Sequence, residues 1–233
     1  MDEKNNKKVK DNYQAFLTNG ACFTKNEEYP IIEDWMIPKE PPKRIIPFDK
    51  LSLYTCKEIS ESYICFYCAD VAFAKIIRNP KHYLKMFRRC KGLIGFDYSV
   101  FRDMPHWKQK ELMGKNLSLD FYYGFQHYPI IPNIRWGSED LVDEYLAAIP
   151  QHTLIAVGTY GFIKTNEEKT TWMEFLKSVC NKLHPSGIIV YGSAPESVFN
   201  ICVQQGIPIY QYESFQSKRM KEVHKDGYRN KRV

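Results

Sequence analysis

Asp97, Arg135, Glu213 and Asp103 are the side chains whose types and positions in this sequence point most directly to chemistry. Asp97 directly follows the apolar run Gly92 to Phe96, and Arg135 directly follows Pro129 to Ile134. A charge at the end of a buried apolar segment is costly unless it is paired or turned towards a ligand. A carboxylate beside Phe96 and Trp136 has its pKa raised by desolvation and becomes a general acid or base. A guanidinium next to it grips a phosphate or carboxylate bidentately. A structural Asp97 to Arg135 ion pair that ties two loops together accounts for the same residues without any reaction. Glu213 and Asp103 supply further carboxylates, and two carboxylates on different loops support cleavage of a glycosidic bond.

Other polar residues stand just past apolar runs: Asp70, Ser99, Asn133, Trp136, Thr159, Tyr160, Gly161, Gly192 and Ser193. Trp136 and Tyr160 offer rings on which a base stacks, and Gly158 to Gly161 reads as a flexible turn. Asp70, Ser99, Ser138 and Ser193 are also the residue types that cap helix N-termini, which explains part of the pattern without a ligand. Tyr191 to Glu196 reads as a strand end, a glycine turn, a hydroxyl cap at Ser193 and a first helical turn at Pro195, and such a helix start accepts an anion.

Several common motifs are missing. There is no Walker A sequence and no GxGxxG, so nucleoside triphosphate hydrolysis and dinucleotide binding have no motif support. The six histidines form no HxH or HExxH pair. No cofactor is assigned, and Asp97, Asp103 and His106 are the one group that spacing offers to a divalent metal. Cys65 and Cys68 form a lone CxxC inside an apolar run, which reads as buried thiols and not as half of a zinc site.

These residues need elements to carry them. Apolar runs at Tyr63 to Ala69, Gly92 to Phe96, Pro129 to Ile134, Thr153 to Val157, Gly187 to Tyr191 and Ile207 to Gln211 predict buried strands. Helices are expected between and after them, at Val71 to Arg78, Pro80 to Cys90, Trp107 to Gly124, Ser138 to Ala148, Thr170 to Leu183 and Pro195 to Gln205. Crossovers of this length favour parallel strands. The expectation is an α/β fold of parallel strand-helix repeats in an incomplete or barrel-like (β/α) arrangement, with an open doubly wound sheet as the rival. A seventh strand fits near Arg44 to Phe48. In both architectures ligands bind beyond the carboxyl ends of the strands. Residues 1–60 read as a short helix, Asp11 to Leu17, followed by a proline-rich brace. Residues 61–217 read as the core domain and 218–233 as a basic tail.

Composition sets the outer limits. A chain of 233 residues with 44% hydrophobic and 15% aromatic residues is globular. Its longest apolar runs fall far short of the ~20 residues that span a bilayer, so no membrane partner is expected. Seven scattered cysteines predict reduced thiols and a cytoplasmic setting. The tail holds seven basic residues against Glu222 and Asp226, a net +5 of the chain's +6, which makes nucleic acid a second class of partner through an appendage.

The blocks Arg78-Asn79-Pro80-Lys81-His82-Tyr83-Leu84, Gly95-Phe96-Asp97-Tyr98-Ser99, Arg102-Asp103-Met104-Pro105, Ile131-Pro132-Asn133-Ile134-Arg135-Trp136-Gly137 and Ile189-Val190-Tyr191-Gly192-Ser193 together resemble a domain-of-unknown-function family met in bacteria, phages and mobile elements. The resemblance covers about Tyr63 to Ser214. It raises Asp97, Ser99, Asp103, Asn133, Arg135, Trp136, Gly161 and Ser193 as motif positions and implies a phage or mobile-element setting in a bacterial host cell. The segment Cys68-Ala69-Asp70 departs from the pattern, which has a further acidic residue there. Three functions follow: a hydrolase acting on a nucleotide or nucleoside-like ligand, a counter-defence protein that sequesters a nucleotide signal without turnover, or a nucleic-acid-binding accessory of replication.

Overall fold

The structure, a computed structural model, describes residues 14–159 and 165–229. Among the described residues seven short strands, β1 (Ile45–Pro47), β2 (Tyr63–Cys65), β3 (Gly92–Ile94), β4 (Ile130–Ile131), β5 (Leu154–Gly158), β6 (Gly187–Tyr191) and β7 (Ile209–Tyr212), alternate with helices. The helices are α1 (Cys56–Ser60), α2 (Asp70–Phe73), α3 (Pro80–Phe87), α4 (His106–Phe125), α5 (Val142–Ala147), α6 (Asn166–Leu183), α7 (Glu196–Gln204) and α8 (Phe215–Arg229). All pairings between these strands are parallel, in two sheets ordered β1-β2-β3-β4 and β5-β6-β7. A parallel bridge between Asn133 and Ala156 joins the sheets, with Ile134 N–H donating to the Ala156 carbonyl and Ala156 N–H to the Pro132 carbonyl, both at 2.8 Å. Spatial order therefore follows chain order from β1 to β7.

The array is curled. Laid flat, β2 and β6 would stand about 19 Å apart at ~4.8 Å per strand, yet Tyr67, just past β2, stacks on Tyr191 at the end of β6 with ring centroids 5.0 Å apart. No ladder closes β7 onto β1 among the described residues. That side is tied instead by the Tyr212 hydroxyl donating to the Pro42 carbonyl and by Lys50 lying over the Phe215 ring. The result is an incomplete (β/α) barrel.

Local sequence explains most of the elements. β5 and β6 are fully apolar and almost wholly buried, as central parallel strands require. Thr165 and Thr55 start α6 and α1 with capping boxes to Glu168 and Glu58. β4 is limited to two residues by flanking Pro129 and Pro132, which lack a ladder N–H. The expected strand Tyr63 to Ala69 stops at Cys65, where Cys68 N–H turns back to the Phe66 carbonyl. The expected helix Val71 to Arg78 shortens to the single turn of α2. The seventh strand comes from the proline-rich section as β1. Of the expected helix Asp11 to Leu17, Asp11 lies outside the described residues and the chain makes a 3₁₀ turn at Ala15–Thr18.

An aromatic cluster fills the space between β2, β3 and helices α2 to α4. Phe66 and Phe96 stack at 4.0 Å, Phe96 stacks on Tyr123 at 5.7 Å, and Phe73 and Phe87 meet Phe66 edge-on. All are buried. Phe96→Ala is expected to lower the unfolding free energy by about 3–5 kcal/mol, read from urea denaturation. A loss below about 1 kcal/mol would mean that this cluster does not anchor β3.

Candidate functional site

The strand ends meet around one saturated hub, Asn133. Its side-chain amide donates to Asp97 Oδ1 at 2.8 Å and to the Phe96 carbonyl at 3.3 Å. Its Oδ1 accepts the Tyr67 hydroxyl at 2.9 Å, and its backbone carbonyl accepts the Tyr145 hydroxyl at 2.9 Å. Asn133 is therefore a positioning residue that fixes Asp97 between the ends of β3 and β4. Asp97 is 8% exposed. Arg135 Nη1 stands 3.6 Å from its Oδ1, an ion pair too long to count as a direct hydrogen bond. Burial lifts the Asp97 pKa above the ordinary aspartate range, Arg135 and the Asn133 hydrogen bond pull against that, and Asp70 adds to it. The neighbouring Tyr67 phenol and Cys65 thiol are held neutral by burial, and the Cys68 thiol is pushed up to about 12.

Two adjoining cavities open at these strand ends. The inner one, about 260 Å³, is bounded by Tyr67, Cys68, Asp97, Ser99, Tyr191 and Gln216, and the outer one, about 390 Å³, by Val100, Asp103, Ile134, Trp136, Glu167 and Trp172. Phe101, Arg135 and Gly158 border both. Arg135 thus sits at the junction, with the buried carboxylate on one side and, on the other, a wall that combines Phe101, Trp136 and Trp172 with the carboxylates of Asp103, Glu167 and Glu168.

Helix α4 holds the loops that carry this site. Gln109, Asn116 and Asp120 lie on one face of it, and all three are buried. Gln109 Nε2 donates to the Met104 carbonyl at 2.7 Å, and its Oε1 accepts Ser138 N–H at 2.7 Å. Asn116 Oδ1 accepts Tyr98 N–H at 2.8 Å, and Asp120 Oδ1 accepts Phe96 N–H at 2.9 Å. The backbone on either side of Asp97 is held by α4. The contact is so close that a Cβ at Gly95 would stand 2.4 Å from Asp120 Oδ2, and one at Gly137 1.8 Å from Gln109 Oε1. Their spacing among apolar residues was the available signal in the sequence, together with Gly95 and Gly137.

The other expected site residues are placed as follows. Asp70 is the first residue of α2, not its cap, and its carboxylate accepts the Ser99 N–H at 3.1 Å and hydroxyl at 2.9 Å. Ser99 and Ser138 likewise spend their polar groups on tertiary partners. Ser193 does not cap α7, whose cap position is Pro195, and Glu196 puts a negative charge in its first turn, which disfavours an anion there. The Ser193 carbonyl accepts the buried Thr159 hydroxyl at 2.7 Å, and Gly192, at φ 129°, makes the turn that brings them together. Trp136 has one ring face covered by Phe175 at 3.4 Å, so stacking is limited to its opposite face. Tyr160 and Gly161 lie outside the described residues.

Two expected groupings do not form. Glu213 pairs with Lys221 at 2.7 Å and borders neither of the two cavities, because its place around the curl is set by β7 and the start of α8. Asp103 is exposed on the outer cavity while Asp97 lies on the inner one, and His106 faces Asp140 at 3.4 Å. Among the described residues no three His, Cys, Asp or Glu side chains gather as a metal site. All seven cysteines are free thiols. No helix of the described residues is long and apolar enough to cross a membrane.

Comparison with known proteins adds a family. Residues 28–213 match the model of a domain of unknown function, DUF4417, a stretch that contains Asp97, Asn133 and Arg135 and every lining residue of the two cavities named above except Gln216. The chain is similar to the Gene 1 protein of Mycobacterium phage D29, 19% identical over 166 residues, which cover 71% of this chain and 60% of that relative. The chain thus spans less than two thirds of that relative's length. No solved structure gives a significant match.

Asp120 Oδ2 is buried without a hydrogen-bond partner, and burial alone raises its pKa well above 3.8, against the pull of Phe96 N–H. A folded pKa above the unfolded one means that the folded state binds the extra proton, so stability falls as pH rises from the ordinary aspartate value towards the raised one. Urea denaturation across that range should show the wild type losing stability relative to Asp120→Asn as pH increases. A difference that does not change with pH would show that Asp120 titrates normally. Gln109→Leu should speed hydrogen exchange at the Ser138 amide by about tenfold or more, since a lost bond of ~1.5 kcal/mol is worth that factor; unchanged exchange would show that α4 does not hold this loop.

Proposed function

Because the chain belongs to DUF4417, a domain of unknown function with a relative in a bacteriophage, its activity has to be read from geometry, and we propose that it binds a nucleotide-like small molecule at the carboxyl ends of its strands. The observation that carries this reading is the buried Asp97 carboxyl facing Arg135 where the two cavities adjoin. The aromatic wall of Phe101, Trp136 and Trp172 supplies apolar surface for a base, and the guanidinium at the junction matches a phosphate. Asp97 keeps a proton to higher pH than an ordinary aspartate. In a hydrolytic reaction the Asp97 proton goes to the departing nitrogen or oxygen as its bond to the scissile carbon breaks, water forms the new bond to that carbon, and the proton that the water sheds restores the Asp97 carboxyl.

A second reading keeps the pocket and drops the reaction. Glu213 is held by Lys221, and the Asp70 carboxylate is engaged by Ser99, so neither offers itself as the base that activates water. Asp103, Glu167 and Glu168 border the outer cavity and not the inner one that holds Asp97, and that separation favours capture without turnover, the chemistry of a protein that sequesters a nucleotide signal for a phage.

The test uses calorimetric titration with the four common nucleoside 5′-monophosphates. Arg135→Ala should weaken binding by about tenfold or more. Asp97→Asn, which preserves shape, should retain binding and, if a product forms in the wild type, slow its formation by about a hundredfold or more. Wild-type protein that binds none of the four, or Arg135→Ala that binds as well as wild type, would refute the reading.

A further inference from the structure

A second recess lies outside the helical layer, away from the strand ends. It occupies about 720 Å³ between α3, the last turns of α4 and the 3₁₀ turn at Ala15–Thr18. One wall is basic. Arg78, Lys81, Lys85 and Arg88 recur every three or four residues, so they share one face of α3 and its flanks, and all four border the recess and are exposed. Among the described residues none of them forms an ion pair and no acidic side chain borders the recess. Lys81 and Lys85, four apart on one helix, repel each other. A solvated helix face usually interleaves acids to relieve such repulsion, and this one does not.

The opposite wall is aromatic. Phe121 and Phe125 stack at 5.4 Å, Phe16 meets Tyr122 edge-on at 6.2 Å, and Phe16 and Phe125 are 39% and 44% exposed. A row of unneutralised cations facing exposed aromatic rings across a groove is the arrangement that holds a single-stranded nucleic acid, with phosphates along the cations and bases against the rings. We infer that this recess is a binding groove for single-stranded nucleic acid, separate from the cavities at the strand ends and independent of what those bind. An acidic peptide would satisfy the cations but would bring no planar bases to the exposed part of the Phe125 ring.

Fluorescence anisotropy of a short labelled oligodeoxythymidine over a series of salt concentrations tests this on the full chain. Lys81→Glu/Lys85→Glu should weaken binding by about tenfold or more and flatten the dependence of log Kd on log salt by about 0.7 per phosphate contact removed. Phe125→Ala should weaken binding and leave that slope unchanged. Both changes are at exposed positions, so the fold is checked by circular dichroism. Three results would overturn the inference: no wild-type binding at about 50 mM salt, unaltered binding by the double variant with loss confined to Arg219→Glu/Lys221→Glu in α8, or displacement of the oligonucleotide by an equimolar polyglutamate peptide.

Discussion

A carboxylate taken almost out of water at the end of β3 is the constraint around which the rest of this site is arranged. An ionised Asp97 in that position is tolerable only with compensating groups, and those come from elements far apart in the chain: Asn133 and Arg135 from beyond β4, and Tyr67 through Asn133 from beyond β2. Each partner restricts another. Tyr67 orients Asn133 and also stacks on Tyr191, so the curl of the array and the setting of the carboxylate are one structural fact. Burial and Arg135 pull the Asp97 pKa in opposite directions and burial prevails, which leaves a carboxyl group that keeps its proton further up the pH scale than a solvated one.

Helix α4 answers the same constraint from behind. A loop that carries a buried charge has backbone groups to satisfy, and Gln109, Asn116 and Asp120 satisfy them at Met104, Ser138, Tyr98 and Phe96. The cost is a second buried carboxyl, Asp120, whose outer oxygen has no hydrogen-bond partner. Gly95 and Gly137 are what allow the helix to come so close. The site is therefore placed by regular elements and by loops pinned to them, as preorganised binding requires.

The sequence made the α/β architecture legible because β5 and β6 are continuous apolar runs and the intervals between strands are helix-length. It over-extended β2 and β4, where the chain leaves the sheet after Cys65 and where prolines remove ladder donors. Asp97 and Arg135 stood out because a charge after a buried run is conspicuous on its own. Glu213 stood out for the same reason, yet its position around the curl depends on how neighbouring strands stagger, which no local pattern reports. The cap assignments for Asp70, Ser99, Ser138 and Ser193 failed for a related reason: short polar side chains bond to whatever donor lies nearest, and here that donor or acceptor belongs to another segment. The polar face of α4 was hidden inside a helix read only for its apolar residues. The groove beside α3 is not legible in the sequence because its cations at 78–88 lie more than 30 residues from Phe121 and Phe125 and more than 60 from Phe16 in the chain, whereas the basic tail is compact.

The most direct measurement is mass spectrometry of a mixed pool of nucleotides, cyclic nucleotides and nucleosides incubated with the protein and sampled before and after the protein is denatured. If Asp97 and Arg135 form a ligand site, one species leaves the free pool. It then returns intact on denaturation if the protein sequesters it, or is replaced by new masses that name the bond cleaved. A pool unchanged in every species at both sampling points would contradict the account.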